Sequence, residues 1–212
     1  TQGAIFNSYA EGNLARFTES GYPAFVPTSD LKQWMQEVLT PNQIQLLQER
    51  YGEAPGEYYS MEQNGVGGIG VARVQFGNVV LLPQPVQGGG ANDFKAVHGS
   101  NPVPPYAYVA SYLWTQKAFK ADVMMHFGTH GSLEFIPGKQ IALSSEDWTD
   151  RLVNDLPHIY YYTIANIGEG MIAKRRSYAG TVSYLAPPFI ETRMRGQVSE
   201  FLSLTDKYLE QD

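Results

Sequence analysis

Two imidazoles, a carboxylate and an amine fall within fourteen residues in His126-Phe-Gly-Thr-His130-Gly-Ser-Leu-Glu134-Phe-Ile-Pro-Gly-Lys139, and no other stretch of the chain is so dense in reactive groups. Histidine and glutamate together can hold a divalent ion or move protons near neutral pH. A zinc pair on a helix needs His at i and i+4 with unbroken helix between, but Gly128 and Gly131 break it and the glutamate lies outside the pair. A metal-dependent hydrolase of that type is therefore a weak reading. Leu133, Phe135 and Ile136 bracket Glu134, which predicts a partly desolvated carboxyl with a raised pKa, suited to act as a base. The competing reading makes His126 the end of a buried strand with satisfied ring nitrogens, and His130 and Glu134 ordinary loop polars.

A second cluster is Asn166-Ile-Gly-Glu169-Gly-Met-Ile-Ala-Lys174-Arg175-Arg176, where a glycine-flanked turn opens a helix. Free backbone N–H groups at such a start favour an anion, and Lys174 and Arg175 follow about a turn later. The alternative is a solvated basic helix face. Tyr160, Tyr161 and Tyr162 alternate faces if they lie on a strand, which predicts core packing. His98 and His158 stand alone in the sequence and read as structural. Gly65-Val-Gly67-Gly-Ile-Gly70 matches the dinucleotide spacing, but it precedes a strand instead of following one, so it reads as chance. Pro137-Gly-Lys139-Gln lacks the spacing and hydroxyl of a phosphate-binding loop, and no nucleotide site of that type is expected.

Hydrophobic periodicity supplies the elements that must position these groups. Helices are predicted over Thr28–Leu39 and from Pro41 to Gly52, the second behind a Thr-Pro start. A hairpin is expected from Ile69–Phe76 and Val79–Leu82 around Gly77-Asn78. Pro83–Pro105 reads as a long loop, followed by a helix from Pro105 to Lys120. A strand over Asp122–Phe127, a helix from Ser144 or Ser145 to Val153, and a strand over His158–Ile164 come next. A helix from Gly168, closed by Pro187-Pro188, and a terminal helix over Ile190–Glu210 complete the chain. This order predicts an α/β protein: parallel strands with helices in the second half, a β-hairpin and a helical segment in the first. The boundaries expected are a mainly helical segment over 1–68, an α/β core region over 69–188 and a C-terminal helix over 189–212.

The 212 residues carry 15 Lys and Arg against 21 Asp and Glu, a net charge of −6, with no run of five like charges. Neither a nucleic-acid partner nor a polybasic membrane patch is expected. There is no cysteine, which leaves imidazole, carboxylate and hydroxyl as possible metal ligands. The longest apolar runs fall far short of the ~20 residues of a membrane span. The chain opens at Thr1 without a signal sequence and reads as a fragment of a longer protein. A cytoplasmic location is the default expectation, with the cell envelope open.

The segments His-Phe-Gly-Thr-His-Gly-Ser-Leu-Glu-Phe-x-Pro-Gly-Lys-Gln and Ala-Lys-Arg-Arg resemble signatures of the large subunits of cobalt and magnesium chelatases. The loop over 126–140 is more like the magnesium type, whereas Leu156-Pro-His-Ile-Tyr160 and Gly168–Arg176 are more like the cobalt type. Weaker similarity runs from about residue 46 to 188. The resemblance implies a large subunit that binds a tetrapyrrole macrocycle and inserts a divalent metal (Co, Mg or, in reverse, Fe) as substrate. Separate ATPase subunits would be its partners. It implies Glu134, His130 and His126 as catalytic groups and transient metal contacts, and Lys174, Arg175, Arg176, Glu169 and Lys139 as substrate contacts. Gln87-Gly88 and Tyr106 depart from the family pattern. An altered direction, removal of iron from haem, is the alternative, as is a non-catalytic tetrapyrrole-binding protein.

Overall fold

The computed structural model describes residues 23–85, 103–128, 131–161, 167–183 and 197–209. The chain begins with strand β1 (Ala24–Pro27), helix α1 (Thr28–Val38) and helix α2 (Pro41–Tyr51). Thr40 caps α2 through a capping box: its hydroxyl accepts the Gln43 N–H while the Gln43 side chain accepts the Thr40 N–H. Gly52 ends the helix at φ 75°, a conformation that glycine adopts without steric cost. Thr28, the first residue of α1, donates its hydroxyl to the Gly67 carbonyl at 3.0 Å and ties α1 to the neighbouring sheet.

Strands β2 (Ser60–Gln63) and β3 (Val66–Val71) join β1 in an antiparallel sheet of order β1-β3-β2. The hairpin expected from Ile69 onward is shorter than predicted. Only β4 (Val74–Phe76) and β5 (Val79–Leu81) pair across Gly77-Asn78, and Ile69–Val71 belong to β3. The glycine-rich fingerprint therefore lies within β3 and the turn before it. Glycine is required at 68 because its open face is filled by the Phe25 ring and the Val26 carbonyl of β1. β3 also crosses the boundary expected at residues 68/69.

Helix α3 (Tyr106–Lys117) is the centre of the molecule, with every residue from Tyr106 to Thr115 buried. An apolar stripe would suffice for a surface helix, but this one is apolar all round and must be covered on all sides. Its hydroxyls are satisfied locally: Ser111 donates to the Ala107 carbonyl at 3.0 Å and Thr115 to the Ser111 carbonyl at 2.9 Å. It packs on β3, α1 and helix α4 (Trp148–Val153), and buried residues from Ala24 to Val153 form one core.

Strands β6 (Met124–Phe127), β7 (His158–Tyr161) and β8 (Gly180–Val182) form a parallel sheet, as the alternation of strand and helix predicted. β8 was not expected. Helix α5 (Ile167–Arg176) ends well before Pro187 and leaves room for it. α4 begins at Trp148, later than Ser144 or Ser145, because Asp147 and Ser144 are used to brace the preceding loop. The terminal helix α6 spans Gln197–Leu209. The predictions over 86–102, 129–130, 162–166 and 184–196, which include His98, His130, Gln87 and Tyr162, lie outside the described residues. Among the described residues no helix is long and apolar enough to cross a membrane.

Candidate functional site

Register places the first imidazole. β6 and β7 pair with Met124 opposite His158 and His126 opposite Tyr160, so period-2 alternation turns His126, His158 and Tyr160 to the same face, toward α3. The His126 ring stacks on Tyr160 at 5.3 Å between centroids and 16° between planes. Its Nδ1 lies 2.6 Å from His158 Nε2, and His158 Nδ1 lies 2.7 Å from the Ser177 carbonyl. A carbonyl can only accept, so His158 Nδ1 carries the proton and its Nε2 accepts from His126 Nδ1–H. His126 Nε2 is then an acceptor and takes the Tyr112 O–H at 3.3 Å, whereas Gln84 Oε1, 3.1 Å away, is itself an acceptor and does not bond to it in this tautomer. From Tyr112 the network continues to Tyr108 at 3.4 Å and on to Ser132 at 2.8 Å.

Both ring nitrogens of His126 are thus committed inside the protein. Burial, and then the neighbouring His158, lower its pKa to about 3, and burial also lowers that of His158. The expected roles of His126 as catalytic group and metal contact do not fit this arrangement, because a neutral imidazole with both nitrogens engaged has no lone pair to offer. Among the described residues, no group of three or more His, Asp or Glu is placed to hold a metal ion.

Glu134 is in a different condition. It sits on a short 3₁₀ turn, Leu133–Phe135, and is 0% exposed. Oε1 accepts the Gly131 N–H at 3.0 Å, whereas Oε2 has no hydrogen-bond partner among the described residues. Burial raises its pKa, and the charge of Glu169 adds to this. The backbone N–H groups and the nearby Tyr160 hydroxyl oppose it by favouring the carboxylate. The arrangement is that of a carboxyl held by one oxygen, with the other available to take a proton.

The second cluster divides. α5 packs against the turn that carries Glu134, which brings half-buried Glu169 in its first turn near that carboxyl. Lys174 and Arg175 are exposed, but Arg176 points inward, is 5% exposed and donates Nη2 to the Ile136 carbonyl. The expectation that all three cations face a ligand is corrected for Arg176, which braces the loop. Asp147 does the same from below: it accepts the Lys139 N–H at 2.9 Å, the Ser144 N–H at 2.8 Å and the Ser144 hydroxyl at 3.0 Å. Burial alone would raise the Asp147 pKa, but these donors outweigh it and hold the group below the usual carboxylate range. The Lys139 side chain itself remains exposed.

Three site residues escaped the sequence reading. In the sequence Tyr160 reads as core, His158 as an isolated histidine, and nothing marks Tyr112; only the strand register and the placement of α3 bring them together. Tyr106, one of the departures from the family pattern, is buried and donates its hydroxyl to the Gly52 carbonyl at 2.9 Å. It serves the packing of α2 on α3 and lends no support to an altered reaction direction.

The family model for CobN/magnesium chelatase matches residues 4–212. The magnesium-chelatase subunit ChlH of Oryza sativa subsp. indica is 42% identical over 143 residues, covering 68% of this chain and 10% of that protein. The aerobic cobaltochelatase subunit CobN of Pseudomonas aeruginosa is 36% identical over 138 residues, 65% of this chain and 11% of that protein. The catalytic subunit of cobaltochelatase from Mycobacterium tuberculosis superposes with a TM-score of 0.73 at 28% identity, covering 96% of this chain and 18% of that one. The chain thus spans about a tenth of the length of these curated relatives. With nearly its whole length matched, the chain belongs to the CobN/magnesium-chelatase family.

Proposed function

We propose that this chain is the proton-accepting part of a tetrapyrrole metal chelatase large subunit, with Glu134 as the base. Inserting a divalent ion into a macrocycle requires two pyrrole N–H protons to leave as the ion sheds water, and a buried carboxyl with a raised pKa can take one. The observation that carries the reading is a fully buried glutamate whose Oε2 has no formed hydrogen bond among the described residues, in a family whose named members are magnesium and cobalt chelatases.

In this reading the metal is a substrate, cobalt or magnesium, and does not reside in the protein. Exposed Lys174, Arg175 and Lys139 meet the carboxylate arms of the macrocycle, and Glu169 lies beside the base. ATP hydrolysis is supplied by separate partner subunits. The test is Glu134→Gln in the full-length protein with those partners. The amide keeps the shape but cannot accept the proton, so metal insertion is expected to be lost while porphyrin affinity stays within about threefold. Insertion at the wild-type rate would remove Glu134 from the role.

A further inference from the structure

We infer that Tyr160 is the positioning residue for Glu134, its hydroxyl holding the free side of the carboxyl in the orientation that receives a proton. This rests on the proton-accepting role proposed above. The sequence suggested a core tyrosine, and the ring is indeed 1% exposed. Its hydroxyl, however, ends at the catalytic loop. A Cβ built on Gly131 would lie 2.6 Å from the Tyr160 hydroxyl and 2.8 Å from Glu134 Oε2, so the phenol and the otherwise unpartnered oxygen converge on the same side of Gly131.

The ring that delivers this hydroxyl is held firmly. His126 stacks flat against it, and His126 is in turn fixed by His158 on one nitrogen and by the Tyr112 hydroxyl on the other. The histidine expected among the catalytic groups is the buttress, and the tyrosine expected to be core touches the carboxylate's surroundings. A hydroxyl suits both protonation states of its neighbour: it donates to the carboxylate and accepts from the acid. When a pyrrole N–H breaks and its proton bonds to Glu134, the phenol can turn its own O–H away and receive the new one, without any other group moving. Among the described residues, the other charged or titratable groups facing Glu134 are Glu169 and Arg176 of α5 and Tyr112 of α3. None of these is brought against Gly131 as Tyr160 is.

Tyr160→Phe tests the inference, since it keeps the ring and its stacking and deletes only the hydroxyl. In the full-length protein, kcat for metal insertion is expected to fall about tenfold, the loss typical of one hydrogen bond to a charged group, with KM for the porphyrin unchanged. The acid limb of the pH–rate profile is expected to move to higher pH, because the lost donor favoured the carboxylate. The infrared carboxyl band assigned through Glu134→Gln should shift in Tyr160→Phe without any turnover, and in Gly131→Ala as well should the phenylalanine variant not fold. An unchanged band with unchanged kcat and acid limb, or a change in KM alone, would overturn the positioning role. Wild-type turnover in Glu134→Gln would instead bring down the proton-accepting role and this inference with it.

Discussion

Gly131→Ala puts a methyl group where two buried oxygens already converge. The added carbon would stand 2.6 Å from the Tyr160 hydroxyl, 2.8 Å from Glu134 Oε2 and 3.3 Å from Tyr160 Cε2. Non-bonded heavy atoms settle near 3.5 Å, so the overlap with each oxygen is about 0.7–0.9 Å. Neither neighbour yields easily. Tyr160 is clamped by His126, and Glu134 is tied through Oε1 to the N–H of Gly131 itself. Overpacking of this kind costs about 1–3 kcal/mol. In a chain of about this size each kcal/mol lowers Tm by about 2–4 °C, so a fall of about 2–12 °C is expected. Thermal melts followed by circular dichroism measure it, with Gly168→Ala as the control. Nothing lies within 4 Å of a Cβ at Gly168, in the first turn of α5, and alanine there should leave Tm level or slightly raised. A Gly131→Ala protein that melts within 1 °C of the parent, as about no overlap would allow, refutes the convergence of Tyr160 and Glu134 on this glycine.

The histidine pair makes stability depend on acid. Both folded pKa values lie below the ordinary 6.5, that of His126 at about 3, so their contribution is complete above pH 6.5 and is lost as pH falls toward 3. The expected slope is about 1.4 kcal/mol per pH unit for each histidine that must stay neutral. Urea unfolding at several pH values reads it, and His126→Ala should flatten the curve while costing about 2–4 kcal/mol at neutral pH through a cavity and an unpaired His158 nitrogen. Slopes that match in both proteins contradict the assignment. Replacing Lys174 and Arg175 together by alanine should leave stability within about 0.5 kcal/mol while weakening a carboxylate-bearing porphyrin more than its neutral ester; equal weakening of both ligands returns these residues to a solvated face. Arg176→Ala should instead cost about 2–4 kcal/mol in unfolding experiments, since it strips the Ile136 carbonyl of its donor and removes the positive charge that acts on buried Asp147, and a cost below 1 kcal/mol would show that the arginine does not brace the loop.

Local rules read much of this chain correctly because the relevant physics is local. The Thr40-Pro41 start of α2, the turn at Gly77-Asn78 and the parallel arrangement of β6 and β7 all follow from capping, turn chemistry and periodicity. The desolvation of Glu134 was also legible, since apolar residues on both sides of a glutamate in a short turn leave its carboxyl little access to water. β1, β2 and β8 were missed because each has only three or four residues, too few for alternation to rise above chance; β1 and β8 exist through pairing with strands distant in sequence, whereas β2 pairs with β3 across Asn64-Gly65, a local turn signal that could have revealed it. A sharper example is Arg176. It belongs to the same basic run as Lys174 and Arg175, yet the rotation of α5 sends it into the protein and them out of it.

Composition and motif alone determined the family, the glycine loop with its carboxylate, and the absence of thiolate chemistry, because each is a property of residue identity and short-range spacing. The roles within the site were decided by tertiary structure. Whether His126 is a base or a buttress depends on which atoms face its two nitrogens, and those atoms come from Gln84, Tyr112 and His158. Whether Tyr160 is core or working residue depends on the register that seats it opposite His126 and on the Gly131 turn that meets its hydroxyl. A side chain's chemistry is written in the sequence, but its protonation state and available lone pairs are set by neighbours that only folding brings within hydrogen-bond reach.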